Sequence, residues 1–267
     1  MRAQLVSVAL SSTAVAMTFV ILALVAPPWV HAQTQSSKAK VAKTAGIPRS
    51  ASGKPDLSGI WQTLSTADWD LEPHHARADS PAGLGVVDGP IPYQEWALLK
   101  KKENFANRVS LDPAAKCFMP GIPRATYKPF PFQIFQSEHQ LTVLYEFGET
   151  ARTIHANGSK HPDGHIDWWL GDSRGHWEGD TLVVDVIHFN DKTWFDRAGN
   201  FHSDELHVVE RYTLIDRDTI EYHATIEDPK VFTRPWSINL LLYRHKEENF
   251  QLLEYKCFAF DLEKDYP

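Results

Sequence analysis

Basic charge and cysteine are both scarce in this chain. Its 267 residues carry 27 lysines and arginines against 34 acids, a formal net charge of −7. That balance denies it the broad positive surface that a nucleic-acid backbone demands. No phosphate loop, dinucleotide fingerprint or Cys-x-x-Cys pair occurs, so the nucleotide and dithiol chemistry those motifs support has no foothold. Gly-x-Ser-x-Gly occurs once, as GDSRG around Ser173. A Trp-rich stretch precedes it and no helical pattern follows, whereas a nucleophile elbow needs a buried strand before it and a helix after it.

The long apolar run is Leu5 to Val25, behind Arg2 and ahead of the small-residue triplet Val30-His31-Ala32. This pattern predicts a signal peptide over 1–32 and a periplasmic or extracellular mature chain without stable membrane insertion. An uncleaved anchor is the alternative, because about 20 apolar residues suffice to span a bilayer. The polar stretch 33–54 reads as a flexible leader. Residues 55–267 are long enough for one all-β domain. In an oxidising compartment Cys117 and Cys257 predict one disulfide across a long loop, two buried thiols being the alternative.

Strand-like runs, several alternating with period two, fall at Gln133–Gln136, Leu141–Phe147, Ala151–Ala156, Leu182–Asn190, Leu206–Ile215, Thr219–Ile226, Ile238–His245 and Gln251–Phe258. An earlier strand begins at Ile60-Trp61. Short turn-forming links between many of them mean antiparallel neighbours, and so many strands protect their edges best by closing. The predicted fold is all-β, an up-and-down antiparallel barrel of lipocalin or calycin type. Ahead of it lie a loop region, a helix over Tyr93 to Arg108 with Trp96, Leu99 and Ala106 on one face, and the wrapping segment Asp112 to Pro131, whose five prolines bar a central strand. Pinned by the disulfide, that segment is placed to line or cover a cavity.

Gly59-Ile60-Trp61 resembles the signature with which lipocalins close the base of their barrel. More widely, DLSGIW, KENFANR, AAKCFMPGIPR, GDSRGHWEGDTLVVD, HFNDKTWFDRAGNFHSDELHVVERYT, TIEDPKVFTRPW and LEYKC resemble a widespread set of exported bacterial proteins. The resemblance covers nearly all of Pro55 to Phe260 and implies an exported, lipocalin-like single domain. It implies no reaction.

Strand parity nominates the interior polar groups. Leu206, Val208, Glu210, Tyr212 and Leu214 form the more apolar face of their strand, leaving Glu210 a lone carboxyl among apolar neighbours. Burial disfavours the charged form of a carboxyl and suits it to general acid–base work. The plain alternative is an ion pair with Arg152 or Arg244 across the barrel. Leu182, Val184, Val186, His188 and Asn190 share a face, which would set His188 at a barrel mouth beside Asp191, where imidazole can carry a proton. Arg152, Tyr145 and Tyr222 are placed to steady developing negative charge or to bind substrate, and Trp194 to stand at the mouth.

Two histidine groups invite a metal, His155, His161 and His165 in one and His202, His207 and Glu210 in the other. Neither has a spaced ligand motif, and His207 and Glu210 fall on opposite strand faces. The sequence therefore predicts a barrel that takes a small apolar or aromatic molecule into its cavity and performs cofactor-free acid–base chemistry of lyase, isomerase or cyclase type. Glu210, His188, Asp191 and Arg152 are the expected catalytic groups, with no metal and no cofactor. A non-catalytic carrier or scavenger is the first alternative, and a metal-dependent hydrolase the second.

Overall fold

Alternating strands that expose an edge on either side are stable only if those edges are met, and here the first and last strands meet each other. The computed structural model describes residues 46–255 and 257, so the expected signal peptide and most of the leader lie outside the described residues. The strands are β1 (Gly59–Thr63), β2 (Phe132–Gln136), β3 (Gln140–Tyr145), β4 (Thr150–His155), β5 (Asp172–Glu178), β6 (Thr181–Ile187), β7 (His207–Leu214), β8 (Thr219–Glu227) and β9 (Trp236–Arg244). They form a closed nine-stranded barrel in sequence order, with Trp61 of β1 opposite Arg244 of β9. The expected all-β barrel is present.

Its antiparallel character holds at every step but one. β4 and β5 run parallel, in register Ile154 to Ser173. Parallel neighbours cannot be joined by a hairpin, and the Gly- and Pro-containing stretch 156–171 supplies the longer crossover. β5 itself answers to none of the runs expected from the sequence. Conversely, Gln251–Phe258 was expected to be a strand, yet 251–255 carry no regular structure. The pairing of β1 with β9 leaves no open edge for a tenth strand.

One face of each strand fills the barrel. Leu141, Val143 and Tyr145 on β3, Arg152 and Ile154 on β4, Leu182, Val184 and Val186 on β6, Val208, Glu210, Tyr212 and Leu214 on β7, and Ile220, Tyr222, Ala224 and Ile226 on β8 are all buried. At the base, Trp61 is fully buried and its indole Nε1 donates to the Leu57 carbonyl at 2.8 Å. The Arg244 guanidinium lies 4.1 Å from its ring centroid and donates to the Ser58 carbonyl. Gly59 sits at φ +139°, and a Cβ there would overlap that guanidinium. The Gly-x-Trp pattern thus has a local cause: the glycine clears the path by which the arginine reaches the tryptophan.

The opposite end is covered by the chain between β1 and β2, with the β6–β7 connection and the turn after β8. The covering segment carries α1 (Glu95–Ala106), α2 (Arg108–Leu111) and α3 (Arg124–Tyr127). The face of α1 that carries Trp96, Leu99 and Ala106 is exposed, and Ala97 and Asn104 are buried. The small Ala97 allows close approach, and Asn104 Nδ2 donates to the Gly199 carbonyl at 3.2 Å. Residues 46–54, part of the expected flexible leader, form a turn that Arg49 fastens to Asp180 through two hydrogen bonds of 2.9 and 2.7 Å. Cys117 and Cys257 are joined as expected. No described helix is long and apolar enough to cross a membrane.

Candidate functional site

Four of the residues nominated from the sequence come together inside the barrel. Arg152 donates from Nη1 to Glu210 Oε1 at 3.2 Å and from Nη2 to Oε2. The hydroxyls of Tyr212 and Tyr222 both donate to Oε1 at 2.8 Å. Tyr145 stands two residues along β3 from Val143, the partner of Arg152, on the same inward face. Arg152 Nε completes the cluster by donating to Ser173 Oγ at 2.9 Å. Glu210 and Tyr222 are fully buried, and Arg152, Ser173, Tyr212 and Tyr145 nearly so. Burial resists the charge on Arg152, but Glu210 overcomes this and holds its pKa well above the ordinary arginine value. Burial, with Glu210 next in effect, likewise raises the phenol pKa of Tyr212 and Tyr222.

Chemically, this carboxylate is already spoken for. Both of its oxygens accept hydrogen bonds, two from a cation and two from phenols, the pattern that settles a buried charge rather than one that leaves a base exposed to substrate. Of the two arginines weighed as partners for Glu210, the fold supplies Arg152 and commits Arg244 to Trp61. Ser173 stands within a strand with its hydroxyl bound to Arg152, which is no nucleophile elbow.

The structure does not bring His188, Asp191 or Trp194 to this cluster. β6 ends at Ile187, and His188 adopts a left-handed φ of +64°, so the alternation that would have turned it inward stops one residue earlier. Its Nε2 instead lies 3.0 Å from the Pro162 carbonyl oxygen. Asp191 is exposed, and Trp194 is buried in the connection over the capped end, bridged to Phe201.

The histidine groups are divided in the same way. His161 bridges Asp172 and Asp185 at 2.6 and 2.8 Å, and His207 meets the other oxygen of Asp185 at 2.9 Å, all on the outer face of the sheet. His202 is buried between Thr193 and the Ser203 carbonyl, and burial lowers its pKa. His155 is half-buried at the end of β4 and His165 is exposed. Among the described residues no group of three or more His, Cys, Asp or Glu is arranged to hold a metal ion.

A second constellation, not singled out from the sequence, lies over the capped end. Asp68, just beyond β1, is fully buried and accepts from Arg124 Nε at 2.8 Å, Lys128 Nζ at 3.0 Å and Arg197 Nε at 3.0 Å. Arg124 also grips Asp112 through two bonds of 2.7 and 2.8 Å. Burial works against the Asp68 charge, but the three cations outweigh it and hold its carboxyl well below the ordinary range. For Lys128 the balance falls the other way: burial and then the charge of Arg124 push its pKa down to about 8, against the pull of Asp68.

Lys128 also faces a cavity of about 320 Å³. Its lining includes the charged residues Asp79, Arg108, Asp112, Lys128 and Arg197 and the aromatic residues Phe130, Phe147 and Tyr255. The three rings form a cluster with centroids 4.9 to 5.6 Å apart, and Lys128 Nζ lies 4.4 Å from the Phe147 ring centroid. Cys257 contributes to the same wall, so the disulfide ties the C-terminal segment to the cavity. The Pro-rich segment does line a cavity, as the sequence suggested. No protein-family model, curated protein or solved structure matches this chain.

Proposed function

We propose that the protein is an exported binding protein for a small molecule that pairs an anionic group with an aromatic or apolar body, seated in the cavity at the capped end. One observation carries this. Two buried cations, Arg124 and Lys128, and the exposed Arg197 converge on two carboxylates, Asp68 and Asp112, beside a wall of three aromatic rings. An excess cation in a low-dielectric site is stabilised by an incoming anion, and the rings supply apolar contact for its body. The disulfide and the apolar Leu5–Val25 run support export.

The acid–base reaction expected at Glu210 gains no support from the interior, because that carboxylate has no free oxygen and faces packed side chains. A carrier or scavenger fits the arrangement better than a lyase, isomerase or cyclase does. The test is calorimetric titration of the full mature protein with benzoate, with cinnamate, and with benzyl alcohol as the uncharged control. The acids should bind measurably more tightly than the alcohol, and both Lys128→Met and Arg197→Met should weaken them roughly tenfold, the scale of one lost charge-assisted contact. Equal binding of acid and alcohol, or binding indifferent to both substitutions, would overturn the proposal.

A further inference from the structure

The same cavity holds an amine in an unusual position. Lys128 is almost wholly buried, a placement lysine ordinarily adopts only when paired. Its carboxylate partner, Asp68, is shared with Arg124 and Arg197. Arginine does not give up its proton in proteins, so of the three cations around Asp68 only Lys128 can relieve the excess charge by deprotonating. The charged groups nearest to it are Asp68 on the chain after β1, Arg124 on α3 with its second partner Asp112, and Arg197 in the β6–β7 connection. Lys128 also meets the Phe147 ring and the cavity, whose lining carries Asp79, Arg108, Asp112 and Arg197 as its other charged groups.

From this geometry we infer that Lys128 is a nucleophilic amine that captures an aromatic or conjugated aldehyde or ketone in the capped-end cavity as an imine. The inference rests on the cavity being a ligand site, as proposed above, and adds the class of ligand and the bond it forms. Desolvation in an apolar pocket beside another cation is how proteins activate a lysine for this chemistry. The lowered pKa of Lys128, about 8, agrees with it.

The step balances without an oxidant or reductant. The neutral amine adds to the carbonyl carbon, and the π pair moves to oxygen. The oxygen then leaves as water, and the proton returned to nitrogen makes a protonated imine. In total, an ammonium and a carbonyl compound give a protonated imine and water. Asp68 stays anionic throughout and stands as the counter-charge to that imine, with its orientation fixed by Arg124. The carbonyl body would lie on Phe130, Phe147 and Tyr255.

The experiment uses the full mature chain with its disulfide intact, incubated with benzaldehyde and sodium cyanoborohydride at pH 8. Intact mass and peptide mapping then follow the benzyl label over time. At that pH a lysine with the pKa of Lys128 has on the order of a hundredfold more neutral amine than an ordinary lysine. Among the lysines, the first label should therefore map to Lys128, roughly tenfold or more ahead of any other. Lys128→Arg should abolish the fast label, because a guanidinium keeps its proton and forms no imine. Labelling of Lys128 no faster than that of exposed lysines, in protein that still binds benzoate, overturns the imine and leaves the binding site standing. Fast labelling of Lys128 in protein that does not bind benzoate overturns the anion site and supports the imine. The wild-type time course decides the question even if the variant fails to fold.

Discussion

Arg152 and Glu210 reach each other across the barrel interior from β4 and β7, two strands that are not neighbours in the sheet. The pair therefore ties opposite walls of the barrel together, and Ser173, Tyr212 and Tyr222 satisfy what remains of its hydrogen-bonding capacity. Removing one member of such a buried pair leaves an uncompensated charge, which typically costs about 3–5 kcal/mol. Arg152→Met should lose stability on that scale, while Arg152→Met with Glu210→Leu should recover most of the loss. Urea unfolding of both variants and of the parent checks this. A double variant as unstable as the single one would show that the tyrosines and the serine, rather than the charge, set the cost.

The covalent tie across the capped end spans 140 residues. In the chain-entropy account a closed loop of that length restricts the unfolded chain enough to contribute about 5 kcal/mol. Replacing Cys117 and Cys257 by serine should reduce the unfolding free energy by an amount of that order. Because Cys257 also borders the cavity, the same variant should bind benzoate more weakly than the parent at a temperature where both are folded. Calorimetry on the two proteins reads out both effects.

How far the sequence reveals all this depends on what each strand must bury. On β7 and β8 the alternation of apolar and polar residues has the two-residue period of a strand, so the inward placement of Glu210, Tyr212 and Tyr222 is legible in the sequence. β5 is not, because its inward positions are Ser173 and Gly175 rather than large apolar residues. Ser173 accepts from Arg152, and a Cβ on Gly175 would crowd Ile154 and Leu182. Small residues make room for neighbours and so erase the signal on which periodicity depends. His188 was misplaced for a different reason: a single left-handed residue ends the alternation, and nothing in the local composition announces it. The cluster at Asp68, Asp112, Arg124, Lys128 and Arg197 joins widely spaced residues of the β1–β2 connection to one in the β6–β7 connection. No spacing rule links them, and the one local hint is a lysine set among Pro and Phe in Lys128-Pro-Phe-Pro-Phe.

At the base, Gly59 and Arg244 should behave as a coupled pair. Gly59→Ala places a side chain at a φ of +139° and into the Arg244 guanidinium, so it carries both backbone strain and a steric clash. Strain of this kind costs of order 1–3 kcal/mol. Arg244→Ala alone should lose the contact with the Trp61 ring, worth about 1–2 kcal/mol in a desolvated setting. The combined variant should be less destabilised than the sum of the two, because the clash disappears with the arginine. A double-mutant cycle by denaturant unfolding measures the coupling. Strict additivity would mean that the glycine is required by its backbone alone.

Lys128 sets the sign of one pH dependence. Its pKa in the folded protein is about 8, against about 10.4 in an unfolded chain. Between these values the unfolded state holds the proton more firmly than the native state does. Unfolding free energy therefore rises with pH across this window, by up to about 3 kcal/mol from this group alone. Below pH 8 both states are protonated and the contribution is flat, with the cost of a buried ammonium fully present. Asp68 has the opposite profile: its carboxyl is held low by three cations, so it stabilises the fold above the ordinary carboxylate range and loses that effect as acid protonates it. Lys128→Met should then be at least as stable as the parent at pH 7, since it removes a desolvated charge beside the Phe147 ring, and should lack the rise between pH 8 and 10. Urea unfolding at a series of pH values on both proteins tests this. A parent whose stability is flat across that window would mean that Asp68 alone compensates the Lys128 ammonium, and that the amine is held charged.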